Sequence, residues 1–458
     1  MITLTPRRLA ALCLACTLAT PVFVHHLEAQ VLARPGWEGS GITTDVWWKH
    51  PIVYEVNPLN FSPTEGSGLH GVAQHLDYIH SLGVDALLLT TLQPDPAHAQ
   101  SLDPVYGTLD DLDDLIHEAS RRDIRVLLDL DPNIPVADLP NVARFWLNRG
   151  IAGFHITGAT PEAHAQATAL RKATSSYLGQ RILIGDVDPT LPLSPQQRTY
   201  KTPDTQTTQL LLDASLGPLS TLNPSAIRSA IESTENIALA GHAIPLLATD
   251  GPGFKRSMTR YGNGKDDLAI AKLLATILFT TRAQPLLYYG QELGVPAPST
   301  PESTSTTPII TWDAPPSPPK GKPTPPPQLE ASDTIPNAAL EDADPNSLLN
   351  WYRKLIELHH SNATVNSGEY LTVNRDDQNV LIIIRKPKVV SPINPVLVIL
   401  CNLSGEPQHL SIKTDTMKLH LRGSFLRTVI RSDNGMGTMH LDSMTLAPYA
   451  TYIGEMRF

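Results

Sequence analysis

Short apolar runs alternate with amphipathic stretches along most of the chain. Eight runs read as strands: 52–56 (IVYEV), 86–91 (ALLLTT), 125–130 (RVLLDL), 153–156 (GFHI), 182–185 (ILIG), 209–213 (QLLLD), 244–249 (IPLLAT) and 285–289 (PLLYY). They are apolar at successive positions rather than at every second one. That is the pattern of strands buried on both faces of a parallel sheet. Apolar residues recur at helical spacing over 71–82, 109–122, 139–149, 161–178, 224–239, 266–282 and 346–361, while 192–204, after the fifth run, is a poor helix. Eight strands joined by crossover helices predict an α/β chain closed into a (β/α)8 TIM barrel. The alternative is an open doubly wound sheet, but no glycine-rich phosphate loop follows the first strand to support it.

The pattern breaks twice. Residues 297–345 are rich in Pro, Ser and Thr and predict an exposed, partly disordered excursion, because such a composition buries too little apolar surface to pack a core. After residue 365 the runs become short and strand-like: 379–386, 395–403, 409–412, 418–421, 438–442 and 451–456. These predict a C-terminal antiparallel β-sandwich. The N-terminus places Arg7 and Arg8 before an apolar stretch over 9–24, with a small residue, Ala29, for cleavage. This is the pattern of a secretory signal, too short and broken for a membrane span, with an uncleaved anchor as the alternative. The expected plan is a signal peptide over 1–29, a barrel over 30–362 and a sandwich over 363–458, in a secreted or periplasmic protein.

Composition narrows the chemistry. With 458 residues, 41% of them hydrophobic, the chain can build a large core plus a smaller module. A net charge of −10 without a basic cluster argues against nucleic acid and anionic membrane surfaces as partners. Cys13 and Cys16 fall in the signal, so Cys401 is left as one thiol without a disulfide partner. No His/Cys spacing suits a metal, and the adjacent His359 and His360 would point apart on a helix; neither metal nor cofactor is expected.

Several long phrases resemble glycoside hydrolase family 13, the α-amylase family, in particular its oligo-1,6-glucosidase and trehalose synthase branch. They are WWKHPIVYEVNPLNF (47–61), GVAQHLDYIHSLGVDALLLT (71–90), the segment 103–133, NVARFWLNRGIAGFHI (141–156), RYGN with YYGQELG, DADPNSLLNWYRKLIELH and LAPYATYIGE. The resemblance implies a TIM barrel with a C-terminal β-sandwich and a retaining α-glycosidase mechanism. That mechanism uses an aspartate nucleophile, a glutamate acid/base and a stabilising aspartate, with two carboxyl groups about 5–5.5 Å apart.

The site phrases depart from this pattern. The nucleophile phrase Gly-Phe-Arg-x-Asp reads Gly153-Phe154-His155-Ile156-Thr157, so arginine has become His155 and the nucleophile Thr157. The acid/base phrase Gly-Glu reads Gly185-Asp186, and Asn-His-Asp reads Ala248-Thr249-Asp250. The phrase Asp-x-x-x-Asn-His runs from Asp129 to Asn133, with Ile134 in place of its histidine. The lobe that family members insert after the third strand is reduced to a linker over 132–140, and the pocket phrase Gly-Tyr-Asp is absent between Thr91 and Asp103.

A structural reading stands beside each functional one. Asp129 is expected to pair with His155, Asp250 to cap the turn that follows it, and Asp186 and Asp188 to cap the turn GDVDP. Tyr288 and Tyr289 suit packing as well as a sugar platform, and Asn133 suits either binding or structure. A threonine needs an adjacent base to act as a nucleophile, and none follows Thr157. The leading expectation is a secreted, catalytically degenerate scaffold for a glycan or a protein partner, as the family's amino-acid-transporter heavy chains serve without catalysis. The rival is a weak or altered α-glucosidase acting on an α-glucan or oligosaccharide through Asp186 and Asp250.

Overall fold

The computed structural model describes residues 47–62, 68–187, 207–240, 243–297, 310–312, 336–433, 435 and 437–457. The signal segment 1–29, Asp188, the stretch 192–204 and most of the Pro-rich excursion lie outside the described residues.

Eight parallel strands close into a barrel in sequence order: β1 Val53–Val56, β2 Ala86–Leu89, β3 Arg125–Leu130, β4 Gly153–Ile156, β5 Ile182–Asp186, β6 Leu210–Asp213, β7 Ile244–Ala248 and β8 Gln284–Tyr288. Each coincides with one of the apolar runs. The double-sided burial has a direct cause. Val53, Leu88, Leu127, Ile184, Leu246 and Leu286 fill the barrel interior. Their chain neighbours Tyr54, Leu87, Leu128, Leu183 and Leu247 pack outward with the surrounding helices. At Gly153 an added Cβ would lie 2.3 Å from the Ile182 carbonyl oxygen, so β4 and β5 approach too closely there for any side chain.

Local signals set the helix starts. Thr108 and Asp111 form a reciprocal capping box before the helix Leu109–Ser120, and Thr160 caps Pro161–Thr174 with proline at its first turn. The helix expected over 71–82 is two helices, Leu69–Gln74 and Leu76–Leu82, parted at His75. The His75 ring stacks on Trp312 at 3.7 Å between centroids. No described helix is long and apolar enough to cross a membrane.

Trp312 corrects the view of 297–345 as a wholly exposed excursion. Ile310 is buried, Trp312 packs against Phe61 and Tyr78, and its Nε1 donates to the Phe61 carbonyl at 2.9 Å. Thr311 bridges to Asn337, which caps a short helix, Ala338–Ala343. Two apolar residues among the prolines are enough to anchor this point on the barrel.

The C-terminal module is a six-stranded antiparallel sheet in the order β14-β13-β16-β11-β10-β9, with a small sheet of β12 and β15. The strands are β9 Glu369–Thr372, β10 Val380–Lys386, β11 Leu397–Asn402, β12 Gln408–Leu410, β13 Phe425–Arg431, β14 Met439–His440, β15 Met444–Leu446 and β16 Thr451–Arg457. Ile382, Val398, Leu400, Met444 and Leu446 share one core between the two sheets, the packing of a lopsided sandwich. The opposite face of the large sheet, through Leu381, Ile383, Leu397 and Ile399, joins the core of the barrel helices. The strand expected over 418–421 is instead the end of the helix Lys413–Lys418 and a turn in which His420 has φ 55°. β13 escaped the sequence reading because Arg427 and Arg431 on its partly exposed face interrupt the apolar run.

A buried ion-pair cluster joins barrel to sheet. Glu235, in the helix Pro224–Ala240, accepts from Arg385 of β10 at 2.8 Å and lies 3.3 Å from Arg282. The Arg385 side chain is fully buried.

Candidate functional site at the barrel mouth

Strand periodicity builds the site. Side chains two apart share a face, so Glu55 follows Val53, Asp129 follows Leu127, Asp186 follows Ile184 and Tyr288 follows Leu286 on the inner face. Each therefore emerges near the C-terminal end of its strand, where barrel active sites lie. The register places Asp129 directly beside His155 on the neighbouring strand.

His155 bridges two carboxylates. Its Nδ1 lies 3.0 Å from Asp129 Oδ1 and its Nε2 lies 2.9 Å from Asp186 Oδ1. A neutral imidazole has one N–H, so one ring nitrogen would turn a lone pair toward a carboxylate. The geometry therefore calls for the doubly protonated ring. Burial alone would lower the His155 pKa, but the charges and hydrogen bonds of Asp129 and Asp186 outweigh it and hold the pKa well above the usual histidine value. Burial would raise Asp186, but His155 and the Gly158 N–H, which donates at 2.6 Å, hold it below the usual carboxylate value. Asp129 also accepts from Thr91 Oγ1 at 3.3 Å and from Thr157 Oγ1 at 3.2 Å. Thr157 is thus an exposed hydroxyl donating to the carboxylate of β3.

Asp250 belongs to a different cluster. It is 1% exposed, and its two oxygens accept from the Ser257 N–H at 2.8 Å and the Ser257 hydroxyl at 3.0 Å, while Arg260 lies 3.3 Å away. Burial raises its pKa against the opposing pull of Arg256 and Arg260. Asp250 does cap a segment, but the short helix Ser257–Tyr261 rather than the turn immediately after it. Thr249, where the family phrase has histidine, accepts from Gln291 Nε2 at 2.7 Å. Asn133 is not brought to the mouth: it sits exposed in the turn after β3, bonded to Asp131 through both its backbone and its side chain.

Sequence reasoning passed over Glu55 and Arg256 here and took Glu292 for an ordinary residue rather than an acid of the site. Glu55, an acid in a four-residue strand that is otherwise apolar, is buried. Its pKa is pushed up to about 8, first by burial and then by the balance of His155, Asp129, Asp186 and Arg256 around it. A lone glutamate in such a strand was itself the available signal. Arg256 is buried, donates to the Tyr289 carbonyl at 2.6 Å, and its guanidinium lies 4.6 and 4.8 Å from the Tyr288 and Tyr289 ring centres. Glu292 is fully buried and accepts from Tyr54 and Tyr78, each at 2.7 Å. Tyr288 and Tyr289 are themselves buried. Beside Asp186, the void lined by Gly158, Gly185 and His164 measures about 10 Å³, room for a water and not for a sugar ring. His359 is a packed histidine: Nε2 lies 3.0 Å from Gln284 Oε1, and burial lowers its pKa to about 3.

A closed eight-stranded parallel barrel with polar residues at its mouth and an antiparallel C-terminal module is the architecture of the amylase-type barrels. Residues 55–137 match the alpha-amylase catalytic domain. The matched segment ends ahead of Thr157, Asp186 and Asp250. Over 95 residues the chain is 45% identical to trehalose-6-phosphate hydrolase of Escherichia coli, covering 18% of this chain and 17% of the enzyme. Over 365 residues it is 23% identical to the amino acid transporter heavy chain SLC3A2 of Oryctolagus cuniculus, covering 71% of this chain and 61% of that protein. The matches thus span less than two thirds of the length of these curated relatives. Isomaltulose synthase from Klebsiella sp. LX3 superposes with a TM-score of 0.72 at 18% identity, covering 91% of this chain and all of that one. Trehalose-6-phosphate hydrolase of Bacillus licheniformis gives 0.72 at 18%, covering 90% of this chain and 100% of the enzyme. At that identity these likenesses carry the fold alone.

Proposed function

We propose that this chain is an exported, catalytically degenerate amylase-family protein whose barrel serves as a binding scaffold. The observation that carries the reading is the His155 bridge, which engages the carboxylates at the ends of β3 and β5. A glycosidase acid must hold a proton at working pH, which needs a raised pKa. Asp186 is shifted the other way. Asp250 is shifted upward, as an acid would be, but it is buried and both its oxygens are engaged by Ser257, out of reach of a leaving group. The geometry therefore weighs against the rival glycosidase acting through Asp186 and Asp250.

The buried Tyr288 and Tyr289 offer no ring face to a sugar, which weights the reading toward a protein partner over an α-glucan or oligosaccharide. The extended likeness to a protein named as a transporter heavy chain supports the same weighting. The test is an activity screen on maltose, isomaltose, trehalose and starch, with crosslinking of the exported protein in its native envelope. Turnover that disappears in Asp186→Ala would overturn the reading. Absence of turnover with a reproducible crosslinked partner is the expected result.

A further inference from the structure

The barrel's N-terminal end, opposite the mouth, carries a second polar site. A cavity of about 360 Å³ opens where the helix Leu109–Ser120 gives way to β3 and where the chain enters β4 and β5. Ile124, Val126 and Ala152 form apolar wall, and Arg125, Arg181 and Asp123 add charge. The Arg125 guanidinium lies 5.0 Å from the ring centre of Trp47 and donates to the Asp123 carbonyl at 3.3 Å. The Trp47 Nε1 donates to the carbonyl of Gln180, the residue before Arg181, so the indole ties the two arginine-bearing segments together.

Arg181 is the unusual member. Its Nε is buried and has no hydrogen-bond partner, and its guanidinium forms no ion pair among the described residues. Burial lowers its pKa and Arg125 adds repulsion, so two like charges share this wall with one aspartate. Structural arginines at the stable face of a barrel are normally paired, because a half-buried guanidinium without an acceptor costs free energy. A planar guanidinium fork is suited to a two-oxygen acceptor.

We propose that this cavity binds the oxyanion head of a small organic molecule, a phosphate or a carboxylate, on Arg181 and Arg125, with its body against Ile124, Val126 and Ala152. The site is separate from the mouth and does not depend on the scaffold reading. The experiment is calorimetric titration of the full chain with inorganic phosphate and, separately, acetate, for wild type, Arg181→Gln, Arg125→Gln and Arg181→Lys. Saturable binding of one anion is expected, weakened roughly tenfold or more by either glutamine variant and less by Arg181→Lys. Saturation by phosphate and not acetate identifies a phosphate head, and the reverse a carboxylate. Without ligand, Arg181→Gln should melt at or above wild type, since it removes an unpaired charge. No saturable binding of either anion, binding indifferent to Arg181→Gln, or a lowered ligand-free melting temperature in that variant would each overturn the proposal.

Discussion

Replacing His155 by glutamine leaves Asp129 and Asp186 beside a side chain that carries no charge. In the native barrel the imidazolium holds both carboxylates at 3.0 and 2.9 Å, with its own side chain 9% exposed and each aspartate 22% exposed. Removing one partner of a buried ion pair costs about 3–5 kcal/mol. The partial exposure of the aspartates places this case at the lower end, ~3 kcal/mol. The pKa shifts define the pH window. Asp186 titrates below the usual value, so its contribution is present above the unfolded pKa of about 3.9 and is lost as pH falls through the folded value. His155 titrates well above its usual value, so its contribution is complete below the unfolded pKa of about 6.5 and fades as pH rises through the folded one. The penalty of His155→Gln should therefore be largest near pH ~5.5 and shrink toward pH ~9.5. Urea unfolding of both proteins at those pH values and at neutrality measures it. A penalty independent of pH, or one below about 1 kcal/mol at the acid end, as for a surface pair, would refute the bridge as described.

Glu55→Gln should stabilise the fold, because the native carboxyl titrates at about 8 and must be desolvated whenever it ionises. Since that pKa lies above its unfolded value, the gain is absent near pH ~4 and reaches the order of 3 kcal/mol at neutrality, readable from urea midpoints across that range. Thr157→Asp should restore no α-glucosidase activity and should lower the melting temperature, since the new carboxylate replaces a hydroxyl that donates to Asp129; family-like turnover from that single change would overturn the degenerate reading. Arg385→Met should cost ~3 kcal/mol by leaving Glu235 short of a buried partner between barrel and sheet, and an unchanged melting curve would show that the pair holds nothing together.

The barrel was legible in the sequence because its strands are buried on both faces and its helices on one, and burial of that kind writes a periodicity into local residues. The helices expected from 109 and 161 do begin there, under caps from Thr108 and Thr160 that the structure supplies. The pairing of Asp129 with His155 was also within reach, since both end adjacent strands. β13 was not, because its partly exposed face dilutes the apolar pattern with Arg427 and Arg431. The apolar anchor at Ile310 and Trp312 was masked by the prolines around it. What tertiary structure alone decided is which polar residues meet. His155 could be read as the neighbour of Asp129, but its second carboxylate comes from β5. Asp250 and Asp186 read alike as strand-end acids, yet one is sealed beneath Ser257 and Arg260 while the other meets an imidazolium at the mouth. Arg125 and Arg181 converge on one cavity from different strands. Charge and desolvation act through distance in space, and barrel closure brings together side chains that lie far apart along the chain.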